Sequence, residues 1–234
     1  MLLLAGGSYN PPHKMHIENF SRVKRYLEKT NHEVYGGVIV PSTMDYLVSK
    51  LGKQYAIKLN HRMNMCKIAV QTVHGMYVQV SPHAKPDAEE LIHEMLPVVR
   101  KMLPRCLLSR ILISEIYGAD YVVKSELWDA ELQFPIFCLP RKGYTEQVLN
   151  GLHRSKRKVQ NLIFINDEPL DDSDLGSEED KQREIIHTAS STDIRKVLQS
   201  SSDDWSELLE LPIMDKRVVQ YMIDHQDDLF YSGD

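Results

Sequence analysis

The chain has 234 residues, a formal net charge of −5, and 42% hydrophobic and 26% charged residues, the balance of an ordinary soluble domain long enough to bury a real core. A net acidic chain does not recruit nucleic acid or acidic membranes through bulk charge, so any anion site has to be local. No apolar run approaches the ~20 residues that span a bilayer, and the opening Met1-Leu2-Leu3-Leu4-Ala5 is too short, and too poor in basic residues, for a signal-peptide core.

In chain order, Leu2 to Ala5 reads as a strand, followed by an amphipathic helix with Ile17, Phe20, Val23 and Leu27 at helical spacing. Val34 to Val40 reads as a second strand ended by Pro41, and Ser42 to Gln54 as a loop. Leu59, Met63, Cys66, Ala69, Val70 and Val73 predict a helix over Ala56 to Val73, and Met76 to Val80 a short strand. Pro86 and the acidic residues after it open a helix over Asp87 to Met102. Leu107 to Tyr117 is an apolar run that ends in Gly118-Ala119-Asp120, and Pro135 to Leu139 and Leu162 to Ile165 complete the strands. Helices around Ile194 to Leu198 and Asp215 to Asp224 close the chain.

Strands alternating with helices predict an α/β fold with a parallel, doubly wound sheet, whose ligands bind at the carboxyl ends of the strands. Residues 166–188 are rich in Asp, Glu and Ser and read as a mobile acidic loop. The basic run 153–158 reads as a solvated face or an import signal. Cys66, Cys106 and Cys138 are odd in number and widely spaced, which suits buried thiols in a reducing compartment, cytoplasm or nucleus, better than disulfides or a zinc site.

Two strings carry chemistry. The first strand runs into Gly6-Gly7-Ser8-Tyr9-Asn10-Pro11-Pro12-His13-Lys14-Met15-His16. Two glycines let a chain leave a strand through a tight turn and bring bare N–H groups near a ligand. Asn10-Pro11-Pro12 keeps the loop out of both neighbouring elements, and His13 and His16 share one face of the helix that follows. Backbone donors, a helix N-terminus and two imidazoles thus meet at one strand end, a good place to hold phosphate. Neither standard glycine fingerprint, G-x-G-x-x-G or G-x-x-x-x-G-K-[ST], is present there. The second string is Ser190-Ser191-Thr192-Asp193-Ile194-Arg195, a hydroxyl-rich helix start with an arginine in its first turn. Arginine there opposes the helix dipole, so a bound anion accounts for it better than helix stability does.

The first string resembles the G-x-[FY]-[ND]-P-x-H-x-x-H signature of the small nucleotidyltransferases, and the second their S-S-T-x-[IL]-R. Other residues are similar to the nicotinamide and nicotinate mononucleotide adenylyltransferases within that superfamily. The resemblance implies a single nucleotidyltransferase domain over residues 1–234, a Rossmann-like sheet with C-terminal helices. It implies transfer of AMP from ATP to a pyridine mononucleotide, forming NAD or deamido-NAD and pyrophosphate. Mg²⁺ would bridge the ATP phosphates with no protein metal site, and a homo-oligomer stays open.

The resemblance also implies roles. His16 would meet the α-phosphate, His13 the β- and γ-phosphates, and Arg195 the polyphosphate. Gly7, Ser8 and Tyr9 would contact ATP, and Ser191, Thr192 and Ile194 would do so from the second string. On the mononucleotide side, Ser8 and Tyr46 with Lys50 or Lys53 would hold the phosphate. Gly118 and Asp120 would lie along the ribose, Leu127 and Trp128 would pack on the pyridine ring, and Arg141 would follow a strand end. Asn60-His61-Arg62 resembles a His-Arg pair that opens a helix and reads as structural. One departure stands out: Val80-Ser81-Pro82-His83 lacks the Trp that covers the other face of the ring in these enzymes. This keeps open a different phosphorylated acceptor, or CTP in place of ATP. A non-catalytic nucleotide-binding scaffold or chaperone is the reading from another class, and a zinc hydrolase on His13 and His16 is the weakest, since no third ligand is evident.

Overall fold

The computed structural model describes residues 1–85, 90–94, 97, 112–155, 161–165, 191–200 and 205–232. Its centre is a six-stranded sheet of β1 (Leu2–Gly7), β2 (Gly36–Pro41), β3 (Tyr77–Val80), β4 (Ile113–Gly118), β5 (Ile136–Leu139) and β6 (Leu162–Phe164). Every pairing is parallel and the order is β3-β2-β1-β4-β5-β6. That order reverses between β1 and β4, so the topological switch lies at the carboxyl ends of those strands, beside Gly7 and Gly118.

A parallel sheet has to be covered on both faces, which is why its strands read as continuous apolar runs instead of alternating ones. One face carries Leu3, Ala5, Ile39, Ile116 and Phe137. They pack against Ile17, Phe20, Val23 and Leu27 of α1 (Lys14–Lys29), Met65 and Cys66 of α3 (Leu59–Ala69), and Val218, Val219 and Met222 of the C-terminal helix Lys216–Asp224. On the other face, Leu4, Val40 and Ile113 meet Leu91 and Ile92. Tyr117, Ile136 and Cys138 join Ala119 and Val122 of a short helix, Ala119–Lys124, and Val148 of the helix Thr145–Arg154. Among the described residues no helix is long and apolar enough to cross a membrane.

The structure departs from the sequence reading in several places. Residues 42–54 are not a loop: α2 spans Met44–Leu51. Thr43 caps it by accepting the Tyr46 N–H, Asp45 sits in its first turn, Leu47 is fully buried, and Gly52 ends it with φ of +84°. A single buried position is too little periodicity to reveal so short a helix. We label the later helices α4 (Ala119–Lys124), α5 (Thr145–Arg154), α6 (Ser191–Ser200) and α7 (Lys216–Asp224). The sequence reading passes over α4 and α5, which are short and bury two positions each. α3 starts at Leu59, three residues later than expected from Ala56, because 56–58 is extended and paired elsewhere; a 3₁₀ turn, Val70–Thr72, follows it. Gly6 and Gly7 do not turn the chain: they are the last residues of β1, paired with Val40 and Pro41. The turn falls at Tyr9, with φ of +46°.

Of the helix expected over 87–102, residues 90–94 and 97 are helical and the remainder lies outside the described residues. So do Leu107 to Ile111, Cys106, the acidic segment 166–188, Ser190 and residues 156–158 of the basic run. Cys66 and Cys138 are buried free thiols, and burial pushes Cys138 up to about 12.

Gly37 of β2 shows how tightly α1 lies on the sheet. A Cβ there would sit 2.5 Å from Cε1 of the fully buried Phe20. Gly37→Ala should destabilise the fold by about 1–3 kcal/mol through overpacking, read as a lower denaturation midpoint at unchanged slope.

Candidate active site

The loop after β1 is held from inside the protein. Arg62, on the first turn of α3 and fully buried, donates Nη1 to Ser8 O (2.9 Å), Nη2 to Ser42 O (2.9 Å) and Nε to Ile57 O (3.0 Å). Its guanidinium therefore fixes the carboxyl ends of β1 and β2 to each other. Asn10, 1% exposed, accepts the Ile57 N–H at Oδ1 and donates Nδ2 to Tyr55 O, both at 2.8 Å. Tyr9 packs beneath: its hydroxyl donates to Ala5 O at 2.7 Å, and a Cβ on Gly7 would come within 3.2 Å of its ring. A side chain at position 7 would therefore press on this ring.

His13 is the N-cap residue of α1, and its backbone N–H donates to Nδ1 of His16 at 3.1 Å. That bond settles the tautomer of a neutral His16: Nδ1 accepts, so the proton sits on Nε2, which is left as a donor. The two imidazoles stack at 3.7 Å between centroids, and Tyr9 meets His16 edge-on at 4.9 Å. Among the described residues, Nδ1 of the buried His13 has no hydrogen-bond partner, an orphan polar atom that a ligand group would satisfy.

The second string docks on the first. Arg195 of α6 donates Nη1 to Asn10 O at 3.0 Å and Nη2 to Thr192 Oγ1 at 2.9 Å, and Ser191 Oγ donates to Pro11 O at 3.2 Å. Ile194 is fully buried and anchors α6 in the core. Residues some 180 positions apart in the chain are thus in direct contact. A cavity of about 270 Å³, lined by Gln54, Tyr55, Arg195, Leu198 and Phe230, opens beside them.

Lys50 and Tyr46 lie one turn apart on α2, which puts them on one face. The Lys50 ammonium is 5.5 Å above the Tyr46 ring and reaches Ser8 Oγ at 3.5 Å. Lys50 faces the loop, whereas Lys53 sits exposed in the 3₁₀ turn Lys53–Tyr55. Across the switch point, Asp120 at the start of α4 pairs with Arg141 after β5 (3.0 Å). The Asp120 carboxylate folds over Gly118, where a Cβ would be 2.7 Å from its Oδ1. Leu127 and Trp128 are partly buried in the cluster around Val122 and Val148, with the indole pressed on Gly151 of α5. Trp128 is therefore at least half a packing residue. Ser81 is buried and bonded within its turn, its Oγ donating to His83 O at 2.7 Å, while His83 is exposed.

Positive charge concentrates here despite the acidic chain. Burial lowers His13 well below its ordinary value, helped by His16, Arg141 and Arg195, and lowers His16 to about 3, with Arg141 adding and Asp120 opposing. Lys50 is lowered first by burial and then by Lys124, against Asp120, with Arg195 and Arg141 adding. The imidazoles are consequently neutral, and Lys50, Arg141 and Arg195 are among the cations around them, with Lys124 near Lys50. Such crowding of like charge is relieved by an anion.

The sequence reading does not single out Arg62 and Asn10 as the frame of the site. A signal for Arg62 is present: it falls in the stripe of positions 62, 65, 66 and 69 that α3 buries, and a lone arginine in a buried stripe needs an internal partner.

A doubly wound sheet with imidazoles and guanidinium groups gathered at its switch point defines an α/β protein with a candidate anion site at the carboxyl edge of its strands. Residues 4–197 match the cytidylyltransferase-like family model, and the chain belongs to that family. It is also similar to proteins named nicotinamide/nicotinic acid mononucleotide adenylyltransferase 2, at 42% identity over 83 residues in Xenopus tropicalis and 40% over 83 in Rattus norvegicus. These matches cover 35% of this chain and 25% of each relative. A nicotinamide/nicotinic acid mononucleotide adenylyltransferase of Arabidopsis thaliana is 30% identical over 82 residues, 35% of this chain and 32% of the relative. The aligned part thus spans about a quarter to a third of the length of these relatives.

The low proton affinity of His16 makes stability depend on pH with a definite sign. The unfolded chain takes up its imidazole proton below about 6.5, whereas the folded protein resists it down to about 3. The contribution is complete above pH 6.5 and is lost progressively as pH falls toward 3. Denaturation midpoints measured from pH 8 to pH 4 should decline, and His16→Gln should decline less steeply; parallel curves would contradict a buried, neutral His16.

Proposed function

We propose that this chain is an adenylyltransferase moving AMP from ATP to nicotinamide or nicotinate mononucleotide, with pyrophosphate as the other product. The observation that carries this reading is the docking of Arg195 and Ser191 on Asn10 and Pro11, beside the stacked His13 and His16.

A phosphate oxygen of the mononucleotide attacks the α-phosphorus of ATP, and the bond to pyrophosphate breaks in line. The nucleophile is already an anion, so no general base is needed; the work is positioning and neutralisation. His16 donates its Nε2 proton in a hydrogen bond to the α-phosphate. His13 and Arg195 receive the β- and γ-phosphates, with the backbone of Gly7 and Ser8 and the hydroxyls of Ser191 and Thr192 around the nucleotide. Mg²⁺ would be held by the ATP phosphates and would neutralise part of their charge; the protein donors around the loop are imidazole, guanidinium and ammonium, which suit phosphate oxygens. Among the described residues no group of three or more His, Cys, Asp or Glu comes together to hold an ion. For the acceptor, Lys50 with Tyr46 and Ser8 suits the phosphate, Asp120 and Arg141 the ribose side, and Leu127 and Trp128 the ring.

A second reading keeps the chemistry and changes the acceptor. It is favoured by Ser81-Pro82-His83, where the turn presents an exposed imidazole in place of a second flat wall.

Pyrophosphate release from ATP and Mg²⁺ should appear with a pyridine mononucleotide and not with phosphopantetheine, and the dinucleotide should form with it. Release with phosphopantetheine alone would move the substrate, and binding of ATP without turnover would point to a scaffold role. His16→Ala should lower the rate by about two orders of magnitude or more with the fold intact. Arg195→Ala should impair the use of ATP more than binding of the mononucleotide, as separate KM values would report.

A further inference from the structure

We infer that the segment Leu229–Tyr231 is a positioning element for the phosphate loop, acting through Ile57 on Asn10 and Arg62. Its kinetic consequence rests on the adenylyltransferase reading; its effect on the loop does not.

Residues 56–58 form a short extended stretch with a different partner on each side. On one side Tyr231 N–H donates to Ala56 O (2.9 Å), Lys58 N–H donates to Leu229 O (3.0 Å), and Ile57 faces Phe230 in an antiparallel bridge. On the other, Ile57 N–H donates to Asn10 Oδ1 (2.8 Å) and Ile57 O accepts from Arg62 Nε (3.0 Å). Ile57 thus stands between both loop anchors and the tail. So short a strand has no stability of its own, so its position is set by what pairs with it. Leu229 is fully buried, and Asp228 braces the stretch by binding Lys58 and His61, the latter at 3.2 Å. Nδ1 of His61 in turn lies 2.9 Å from the Tyr221 hydroxyl of α7, within hydrogen-bonding distance. Phe230 also lines the cavity that Arg195 reaches. The start of α1 is tied to the segment that precedes α7, since Lys14 N–H donates to Ile213 O at 2.9 Å.

If these contacts only added stability, loosening the tail would lower the melting temperature and leave the folded site unchanged. A positioning role requires the site itself to change. Tyr231→Pro in the full chain removes the N–H given to Ala56, and Tyr231→Phe keeps it. The direct readout is the NMR titration of the His16 imidazole, which is packed against Tyr9 and His13 and feels Arg141 and Asp120. The second readout is kcat and KM for ATP, well below the melting temperature. Tyr231→Pro should move the His16 titration by about one pH unit or more toward 6.5 and lower kcat/KM for ATP about 10-fold or more; Tyr231→Phe, which keeps the N–H, should change both far less. An unchanged His16 titration and KM in folded Tyr231→Pro would overturn the inference. Should that variant not fold, Asp228→Asn loosens the same stretch more gently and should shift His16 in the same direction, and no shift would again overturn it. A parent protein without turnover, combined with a shifted His16 in the variant, would discard the adenylyltransferase reading and retain the tail's role.

Discussion

Everything at the switch point depends on one buried cation. Arg62 is fully enclosed, and among the described residues it has no carboxylate partner. Its charge is compensated by the carbonyl dipoles of Ser8, Ser42 and Ile57 and by contact with Met44 Sδ. Burying a charge without hydrogen bonds is prohibitive, and here the enclosure lowers Arg62 only to about 10, so it stays charged at neutral pH. The planar fork of donors is what allows one side chain to serve three backbone segments; a lysine has neither the fork nor the reach to replace it. With those carbonyls fixed, the loop from Ser8 to Pro12 has little freedom left, and His13 and His16 inherit its rigidity.

Rigidity and electrostatics then act together. The stacked imidazoles are neutral because burial makes their protonation unfavourable, so their contribution to binding an anion is directional hydrogen bonding instead of charge. Net positive charge is supplied from the rim by Lys50, Arg141 and Arg195, on three separate elements, with Asp120 holding Arg141 in place. This division separates fixed, directional donors from the cations beside them, which are themselves bonded within the protein. It also explains how a chain of net charge −5 gathers anion-binding groups: the field at the site is set by a few nearby cations and by exclusion of water, not by the total.

Much of this was legible in the residues because it rests on local rules. The strand-and-helix alternation predicts the parallel sheet, and the β1 loop and α6 start are visible as strings of residue types with a physical purpose. Lys50 against Lys53 was not legible, because the answer depends on α2, a helix with one buried position and no stripe to betray it. The same weakness hides α4 and α5. The two glycines suggest a turn by conformational freedom, yet Gly7 lies close against the Tyr9 ring, a contact no local rule anticipates. Trp128 is a matching case: its indole rests on Gly151, which lies 23 residues further along the chain, and only the packed cluster shows it to be a wall of the fold as well as a candidate ring platform.

By itself, then, the sequence determined the α/β class, the apolar face of α1, and the two motifs with their hydroxyl, imidazole and guanidinium chemistry, because periodicity, turn residues and donor types act over a few neighbouring positions; the face that α3 buries, Arg62 and Met65 included, was not the stripe its sequence suggested. The tertiary structure alone decided that those motifs touch, that Arg62 clamps three carbonyls, that Lys50 and not Lys53 faces the loop, and that Leu229–Tyr231 pairs with 56–58. These are contacts between segments far apart in the chain. Their existence follows from how the sheet brings its carboxyl edge together and from the need to satisfy buried polar groups there, and neither condition is expressed in any short window of residues.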